Sequence, residues 1–358
     1  MIFTKQELDF LKIFEKCAVR ESFFQIKAIK EKVYFSQYSD IVKLVTVLEN
    51  KTGQEFEFAL KTSQFCSMLN VTREDEAISI DDGCVKFGND SMYQFEIQEF
   101  SLLENPETYL QILGETKDTF QLKNLDFISS IKNFISPVEQ FSTVALQNNH
   151  FVASNEIVLG VVNTENKVAH DNLFFPAIFS DIVSVISDTE VSVSLLQQDT
   201  ASQFFGIKIQ DTFVFLPNRN DYKLPYVFKA DIMALYNHPH KVQFKREDFL
   251  NALNRIKVLS LSNVGSRLYV NFETDKMVLE TKDDEYGKEV ISAIVPPELQ
   301  GFYIILSTKF LLDIASRLNG ENLFLYAINS KDIPAVKIDD ENKDIYFVHV
   351  AYEYLDRE

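Results

Sequence analysis

An internal repeat constrains this chain more than any single motif. Segments with apolar residues at helical spacing begin near positions 5, 123 and 245, and a second set begins near 61, 174 and 307. Alternating, strand-like runs fill the stretches between them. The order of helix, strands, helix and strands therefore occurs three times, at intervals of about 120 residues. Three such units account for the 358 residues of the chain.

The repeat predicts an α+β fold of three similar domains, each with two helices packed on antiparallel sheets. The predicted helices are Lys5–Ala18, Lys61–Asn70, Lys123–Ile135, Phe174–Ile186, Lys245–Leu259 and Ser307–Leu318. The strand-like runs include Phe23–Ile29, Ile41–Leu48, Glu55–Leu60, Phe141–Leu146, Phe205–Phe215, Arg267–Phe272 and Ile345–Tyr352. We place the domains at residues 1–116, 117–235 and 236–358. An irregular α+β protein with coincidental element lengths is the alternative.

Composition indicates a cytoplasmic protein. The chain has no run of about 18 apolar residues, so no transmembrane helix is expected. The first ten residues are too acidic and lack the apolar region of a signal peptide. The cysteines Cys17, Cys66 and Cys84 are odd in number and form no CxxC pair, which fits a reducing compartment.

The net charge of −18, from 35 basic and 53 acidic residues, argues against a protein that grips nucleic acid through a basic exterior. The charge is segregated, however: basic residues outnumber acidic ones in the six predicted helical segments, and the remaining chain is strongly acidic. Helices gathered on one side of the sheets would make a basic inner face that encloses a polyanion. Ordinary solvated helix faces carrying lysine explain the same pattern.

A search for catalytic motifs finds no phosphate-binding glycine loop, nucleophile elbow or HExxH sequence. His238 and His240 are close in sequence, but no third ligand accompanies them, and a solvated loop is the favoured interpretation. The acidic clusters, such as Asp81-Asp82 and Asp283-Asp284-Glu285, lie in turn-like stretches. We therefore expect no enzyme, no metal and no cofactor.

The third repeat resembles the third domain of bacterial β sliding clamps. The likeness is carried by Phe249–Ser260 with Ser266–Val270, by Leu306–Asn322, and by Pro334–Ile338 with Ile345–Val350. It covers about residues 245–352, whereas in the first two domains it rests on element order, length and the Asp221-Tyr222 pair.

The resemblance implies a non-enzymatic DNA sliding clamp. In that family, two chains close head to tail into a ring of six domains, with helices lining the hole and sheets outside. Duplex DNA passes through without sequence-specific contacts, and the ring tethers a replicative DNA polymerase. The implied partners are a second copy of the chain, duplex DNA, and the polymerase and clamp loader, which bind through short peptide motifs; no membrane is involved.

Three sets of residues follow as expectations. Arg20 matches a DNA-facing arginine of the family, and helix placement adds other DNA-facing cations: Lys12, Lys16, Lys61, Lys132, Lys309 and Arg317. Val258 and Leu259 match apolar subunit-interface positions, although core packing is an equal alternative. The family's peptide pocket maps onto Ser154, Ile157, Leu159, Leu224, Phe347, His349 and Val350.

The pocket sequences depart from the family pattern. Glu156-Ile157-Val158 replaces a glycine-histidine-arginine, and His349-Val350-Ala351 replaces a Met-Pro-Met. These departures indicate a different peptide preference and a divergent or bacteriophage member of the family. The alternative from another functional class is an acidic, β-rich structural or adaptor protein with no role on DNA.

Overall fold

A computed structural model of the chain describes residues 1–18, 22–81, 84–88, 91–94, 106–115, 118–123, 125–136, 138, 142–147, 149–155, 157–163, 173–186, 190–197, 203–219, 239–259, 267–282, 285–328, 335–351 and 353–355. It divides into two compact units. Unit 1 contains residues 1–129 and 165–220, and unit 2 contains residues 130–164 and 221–358. The predicted division into three domains at 116/117 and 235/236 stays a prediction.

Unit 1 is built on two antiparallel sheets. Its strands are β1 (Ile2–Phe3), β2 (Phe23–Ile29), β3 (Lys32–Tyr38), β4 (Lys43–Glu49), β5 (Phe56–Lys61), β6 (Ile78–Asp81), β7 (Cys84–Phe87), β8 (Ser91–Gln94), β9 (Thr119–Leu122), β13 (Leu173–Pro176), β14 (Val191–Gln197), β15 (Gln203–Ile209) and β16 (Thr212–Pro217). One sheet has the order β1-β6-β7-β8, and the other has the order β5-β2-β3-β4-β16-β15-β14-β9; the short strand β13 belongs to neither of them.

The helices of unit 1 lie on both faces of the larger sheet. They are α1 (Leu11–Cys17), α2 (Thr62–Val71), α3 (Pro106–Glu115) and α5 (Ile178–Val183). The aromatic ring of Phe35 contacts Phe10, next to α1, and Phe24 contacts Phe65 of α2. Tyr34 alternates with Phe35 along β3 and faces α3 instead. This alternation separates a face covered by α1 and α2 from a face covered by α3.

Unit 2 joins its strands in one continuous series. They are β10 (Thr143–Gln147), β11 (His150–Ser154), β12 (Val158–Asn163), β17 (Val242–Lys245), β18 (Arg267–Phe272), β19 (Lys276–Thr281), β20 (Gly287–Ile294), β21 (Tyr303–Ser307), β22 (Asn322–Ile328), β23 (Ala335–Asp340), β24 (Ile345–Val350) and β25 (Glu353–Leu355). Their order is β10-β11-β12-β24-β23-β22-β17-β20-β19-β18-β21-β25.

Two helices of unit 2, α6 (Arg246–Leu259) and α7 (Thr308–Arg317), contact each other. The guanidinium Nε of Arg246 donates to the carbonyl of Ala315 at 2.9 Å and so joins the start of α6 to the last turn of α7. A further helix, α4 (Leu125–Ile131), crosses the division between the units.

Most of the predicted elements are confirmed, with changes at their ends. Strands β2 and β18 have the predicted bounds. The predicted helix Lys5–Ala18 begins instead with a 3-10 turn at Gln6–Leu8, and α1 starts at Leu11. The prediction that a helix starts at Phe174 is wrong, since Leu173–Pro176 is a strand and α5 follows it. Residues 205–215 form parts of two strands rather than one.

Candidate interaction surfaces

The pairing of β12 with β24, which we call the second junction, brings most of the predicted peptide pocket together. The strands are antiparallel, with Val158 opposite His349 and Leu159 opposite Val348. One residue further along, the N–H of Val350 donates to the carbonyl of Ile157 at 2.9 Å. Residues that are almost 200 positions apart in the sequence thus become direct neighbours.

Alternation along the strands then separates the predicted pocket residues into two groups. Paired residues of antiparallel strands project to the same face, and successive residues project to opposite faces. Ser154 pairs with Leu159, and Leu159 pairs with Val348. Ile157, Leu159, Ser154 and Val350 therefore share one face of the sheet. Ile157 and Val350 are half-buried there, whereas Ser154 and Leu159 are buried.

Phe347 and His349 project to the other face, beneath helices. The ring centroid of Phe347 lies 5.0 Å from that of Phe134, which follows α4. His349 is fully buried, with its Nε2 accepting the Ser307 N–H at 3.1 Å and its ring 5.8 Å from that of Phe310. We therefore restrict the proposed pocket to Ser154, Ile157, Leu159 and Val350. Leu224 lies outside the described residues.

Burial sets the protonation state of His349. Loss of solvent lowers its pKa to about 4, and the hydrogen bond with the Val350 carbonyl at 2.7 Å opposes this only partly. The ring is thus neutral at pH 7, with Nδ1–H donating to Val350 and Nε2 accepting from Ser307. This side chain ties β24 to the start of α7.

The predicted DNA-facing cations occupy varied positions. Three of them are exposed: Lys16 of α1, Lys132 in the turn after α4, and Lys309 of α7. Lys12 is also exposed and forms an ion pair with Asp9 one turn earlier. Lys61 comes just before α2, and Arg317 lies in the last turn of α7; both are half-buried. Arg20 lies outside the described residues.

The basic excess expected of the helices is concentrated in a few of them. The α2 helix carries no charged side chain, and α5 carries only Asp181. In α6, Arg255 forms a bidentate ion pair with Glu289 at 2.7 and 2.8 Å. Basic residues thus belong mainly to α1, α6, α7 and the residues that flank the helices, not to a uniform lining.

The two predicted interface residues, at the end of α6, differ in their exposure to solvent. Val258 is 65% exposed, which is unusual for a large aliphatic side chain. Leu259 is half-buried and packs over Gly287, at the start of β20, in space that a β-carbon on that glycine would fill. Val258 therefore fits an interface, and Leu259 contributes to packing within unit 2.

Sequence reasoning missed two strand edges and one helix. Tyr93 of β8 is 45% exposed, and Val290 of β20 is 51% exposed. The helix α3 lies just before the predicted boundary at 116/117, in a stretch for which no helix is predicted. Its sequence signals were Pro106 at the first helical position and the three-residue spacing of Leu110 and Leu113.

Within the described parts of the chain, no helix is long and apolar enough to cross a membrane. The same parts contain no group of three or more His, Cys, Asp or Glu residues placed to hold a metal ion.

Comparison with known proteins decides the fold. The chain superimposes on the DNA polymerase III beta subunit from Thermotoga maritima with a TM-score of 0.78 and 13% identity, covering 98% of both chains. A putative DNA polymerase III beta subunit from Eubacterium rectale gives 0.74 and 14% identity, covering 98% of this chain and 99% of that one. The Bartonella birtlesii sliding clamp bound to griselimycin gives 0.76 and 13%, covering 99% of both.

This chain has the sliding-clamp fold. The likeness extends from end to end, so it includes the first two repeats, where the sequence resemblance was weakest. No family model and no curated protein sequence matches the chain. The clamp fold is therefore carried here by a highly divergent sequence.

Proposed function

We propose that this chain is a DNA sliding clamp, a non-enzymatic processivity factor that encircles duplex DNA and tethers a replicative polymerase. The likeness in fold to DNA polymerase III beta subunits over 98% or more of both chains carries this proposal. A tether works through topology and effective concentration, and it needs no tight contact with the DNA. A strongly acidic protein can therefore act on DNA.

The strand order supports a ring made of two copies. In unit 1, the series β2-β3-β4 continues into β16, and in unit 2 the series β10-β11-β12 continues into β24. The third such series, β18-β19-β20, ends in β20, and the strand that corresponds to β16 and β24 is β8. We infer that β20 of one copy pairs with β8 of the other, twice per ring, head to tail.

Both strands have edges suited to this pairing. In the described residues, β20 pairs with β19 along its length and with β17 only at Ala293 and Ile294. In the same described part of the chain, β8 is the last strand of its sheet and pairs only with β7, along one of its two edges. Such edges invite pairing with another chain, and ring closure would protect them. The exposed side chains of Tyr93, Val290 and Val258 would be covered by the same contact.

The DNA-facing surface consists of the helix side of the sheets. We assign weak, sequence-independent phosphate contacts to Lys12, Lys16, Lys132, Lys309 and Arg317, and we keep Lys61 and Arg20 as flanking contributors. Because α2 and α5 lack cations, we expect a weak salt dependence compared with proteins that bind DNA tightly.

The polymerase and clamp loader would dock at the second junction, on the face shared by Ser154, Ile157, Leu159 and Val350. This apolar face suits a short apolar peptide. Solved clamps from Bartonella birtlesii and Pseudomonas aeruginosa are bound to griselimycin, which provides a probe for this chain.

The proposed function is tested by comparing how the protein is retained on circular and on linear DNA. A clamp stays on circular DNA and leaves linear DNA by sliding off its ends, whereas the alternative, an acidic adaptor protein, shows no difference between the two. Equal retention on both forms would overturn the proposal.

A further inference from the structure

The α3 helix is seated on the first junction, the pairing of β4 with β16. The Tyr34 hydroxyl donates to Oε1 of Glu107 in its first turn at 2.8 Å. Leu110 and Leu113, one turn apart, pack against a buried cluster. That cluster consists of Tyr34, Val45, Leu196 and Phe215.

A glycine beneath α3 makes room for this packing, which we call the α3 seat. A β-carbon on Gly206 of β15 would lie 2.6 Å from Cδ1 of Leu113 and 3.1 Å from Cδ1 of Leu196. Gly206 stands opposite Phe215 in the sheet. The absence of a side chain at this position thus lets Leu113 approach the strand closely.

The two junctions correspond residue by residue. In the first repeat, Ser36 pairs with Val45, and Val45 pairs with Phe213 across the junction. In the second, Ser154 pairs with Leu159, and Leu159 pairs with Val348.

The next outward-facing positions follow the same correspondence. Phe215, opposite Lys43, matches Val350, opposite Ile157. The residues beneath α3 in unit 1, Val45 and Phe215, are therefore the repeat equivalents of two pocket residues in unit 2, Leu159 and Val350.

We propose that the outer face of the first junction is an interaction surface of the same kind as the partner pocket, and that α3 is its resident occupant. This inference rests on the proposed function, which places the pocket at the second junction. The class of ligand that fits the first surface is a short amphipathic helix with two leucines three residues apart and a carboxylate one turn earlier. While α3 is seated, the first junction is closed to such partners, and the second junction remains for them.

The side chains also predict a difference in selectivity. Ala335 pairs with Val350 as Gly206 pairs with Phe215, so the second junction has a β-carbon where the first has none. Tyr34, which anchors Glu107, corresponds to Val152, which has no hydroxyl. The second junction therefore binds a segment of the α3 type less deeply and without this polar anchor.

The test is complementation in trans, using the full chain and a fluorescent synthetic peptide that spans residues 104–117. The variant Leu110→Glu with Leu113→Glu unseats α3, and we expect the peptide to bind it. The wild type should bind the peptide roughly a hundredfold more weakly or worse, because α3 competes at the millimolar effective concentration of a tethered segment. Fluorescence anisotropy measures both affinities.

Two controls locate the binding. Thr108→Glu with Gln111→Glu adds the same charges to exposed positions of α3, and this variant should bind as weakly as the wild type. Adding Gly206→Val to the unseating variant fills the position of Leu113 and should abolish binding.

Three results would overturn the inference: a folded unseating variant that does not bind the peptide, binding that is indifferent to Gly206→Val, or equal binding by the wild type. If the unseating variant does not fold, Gly206→Val alone is measured; undiminished protection of the α3 amides from hydrogen exchange in that variant would also contradict the seat. DNA retention is a separate measurement, so loss of the clamp function and loss of the α3 seat are distinguishable.

Discussion

The imidazole of His349 accepts the backbone N–H of Ser307 at 3.1 Å and thereby joins the last strand of the second junction to the start of α7. The ring is completely buried, and burial lowers its pKa to about 4. Because Ser307 is the residue before α7, this hydrogen bond fixes where the helix leaves its strand.

We predict that this histidine makes unit 2 sensitive to acid. Its pKa falls from 6.5 in the unfolded chain to about 4 in the fold, so its contribution is complete above pH 6.5 and is lost as the pH falls towards 4. The contribution amounts to roughly 3 kcal/mol. Urea unfolding at pH 7 and at pH 4.5 measures it. His349→Gln should reduce this pH dependence, and an NMR titration that places the ring pKa near 6.5 would contradict the account.

The sheet patterns were the most predictable part of the fold. Alternating burial depends on local sequence, so β2 and β18 were located correctly. The turn between β15 and β16 was not predicted, because Gln210 occupies its positive-φ position (φ 51°) and no glycine or asparagine marks the turn in the sequence. The strand at Leu173–Pro176 resembled a helix because its short apolar run fits either period.

The candidate site was only partly predictable for a physical reason. Sequence resemblance identifies the segments that form the pocket, but it does not show which face of each strand is buried under a helix. Phe347 and His349 lie in the same strand as Val350, yet they project to the opposite face, where Phe347 contacts Phe134 and His349 packs beneath α7. Their placement depends on contacts with residues far away in the chain, which no local pattern contains.

The exposed end of α6 supplies a prediction about assembly. Val258→Asp should weaken the dimer at least about tenfold, because a charge would be buried at the subunit contact. Light scattering over a dilution series measures the shift from about twice 41.3 kDa towards one chain mass. Ile41→Asp, at another exposed aliphatic position, is the matched control. An unchanged mass for Val258→Asp would remove this residue from the interface.

Edge pairing supplies a covalent test of the ring. In a Cys84→Ser background, Tyr93→Cys with Val290→Cys should yield a disulfide-linked dimer upon mild oxidation, since each β20 edge meets the β8 edge of the partner. Non-reducing gels reveal the product. Tyr93→Cys with Ile41→Cys should remain monomeric on the gel. A linked dimer from Val290→Cys alone would indicate that β20 pairs with itself and would exclude the head-to-tail arrangement.

The proposed pocket predicts where an inhibitor binds. Ile157→Glu and Val350→Glu should each weaken griselimycin binding at least about tenfold, because a charge would enter an apolar contact. Isothermal titration calorimetry measures the affinity. Lys43→Glu, at the position that corresponds to Ile157 in the first junction, should leave it unchanged. Undiminished binding by both pocket variants would move the site elsewhere.

We propose that this protein encircles DNA. The most direct measurement uses the Tyr93→Cys, Val290→Cys variant in the Cys84→Ser background, diluted to favour separated chains, mixed with plasmid and then oxidised to close the ring. Half of the plasmid is circular and half is cut once. After washing in high salt, which removes electrostatic binding, we predict that the protein remains on the circular plasmid and is released from the linear one. Equal amounts on the two forms would contradict the account.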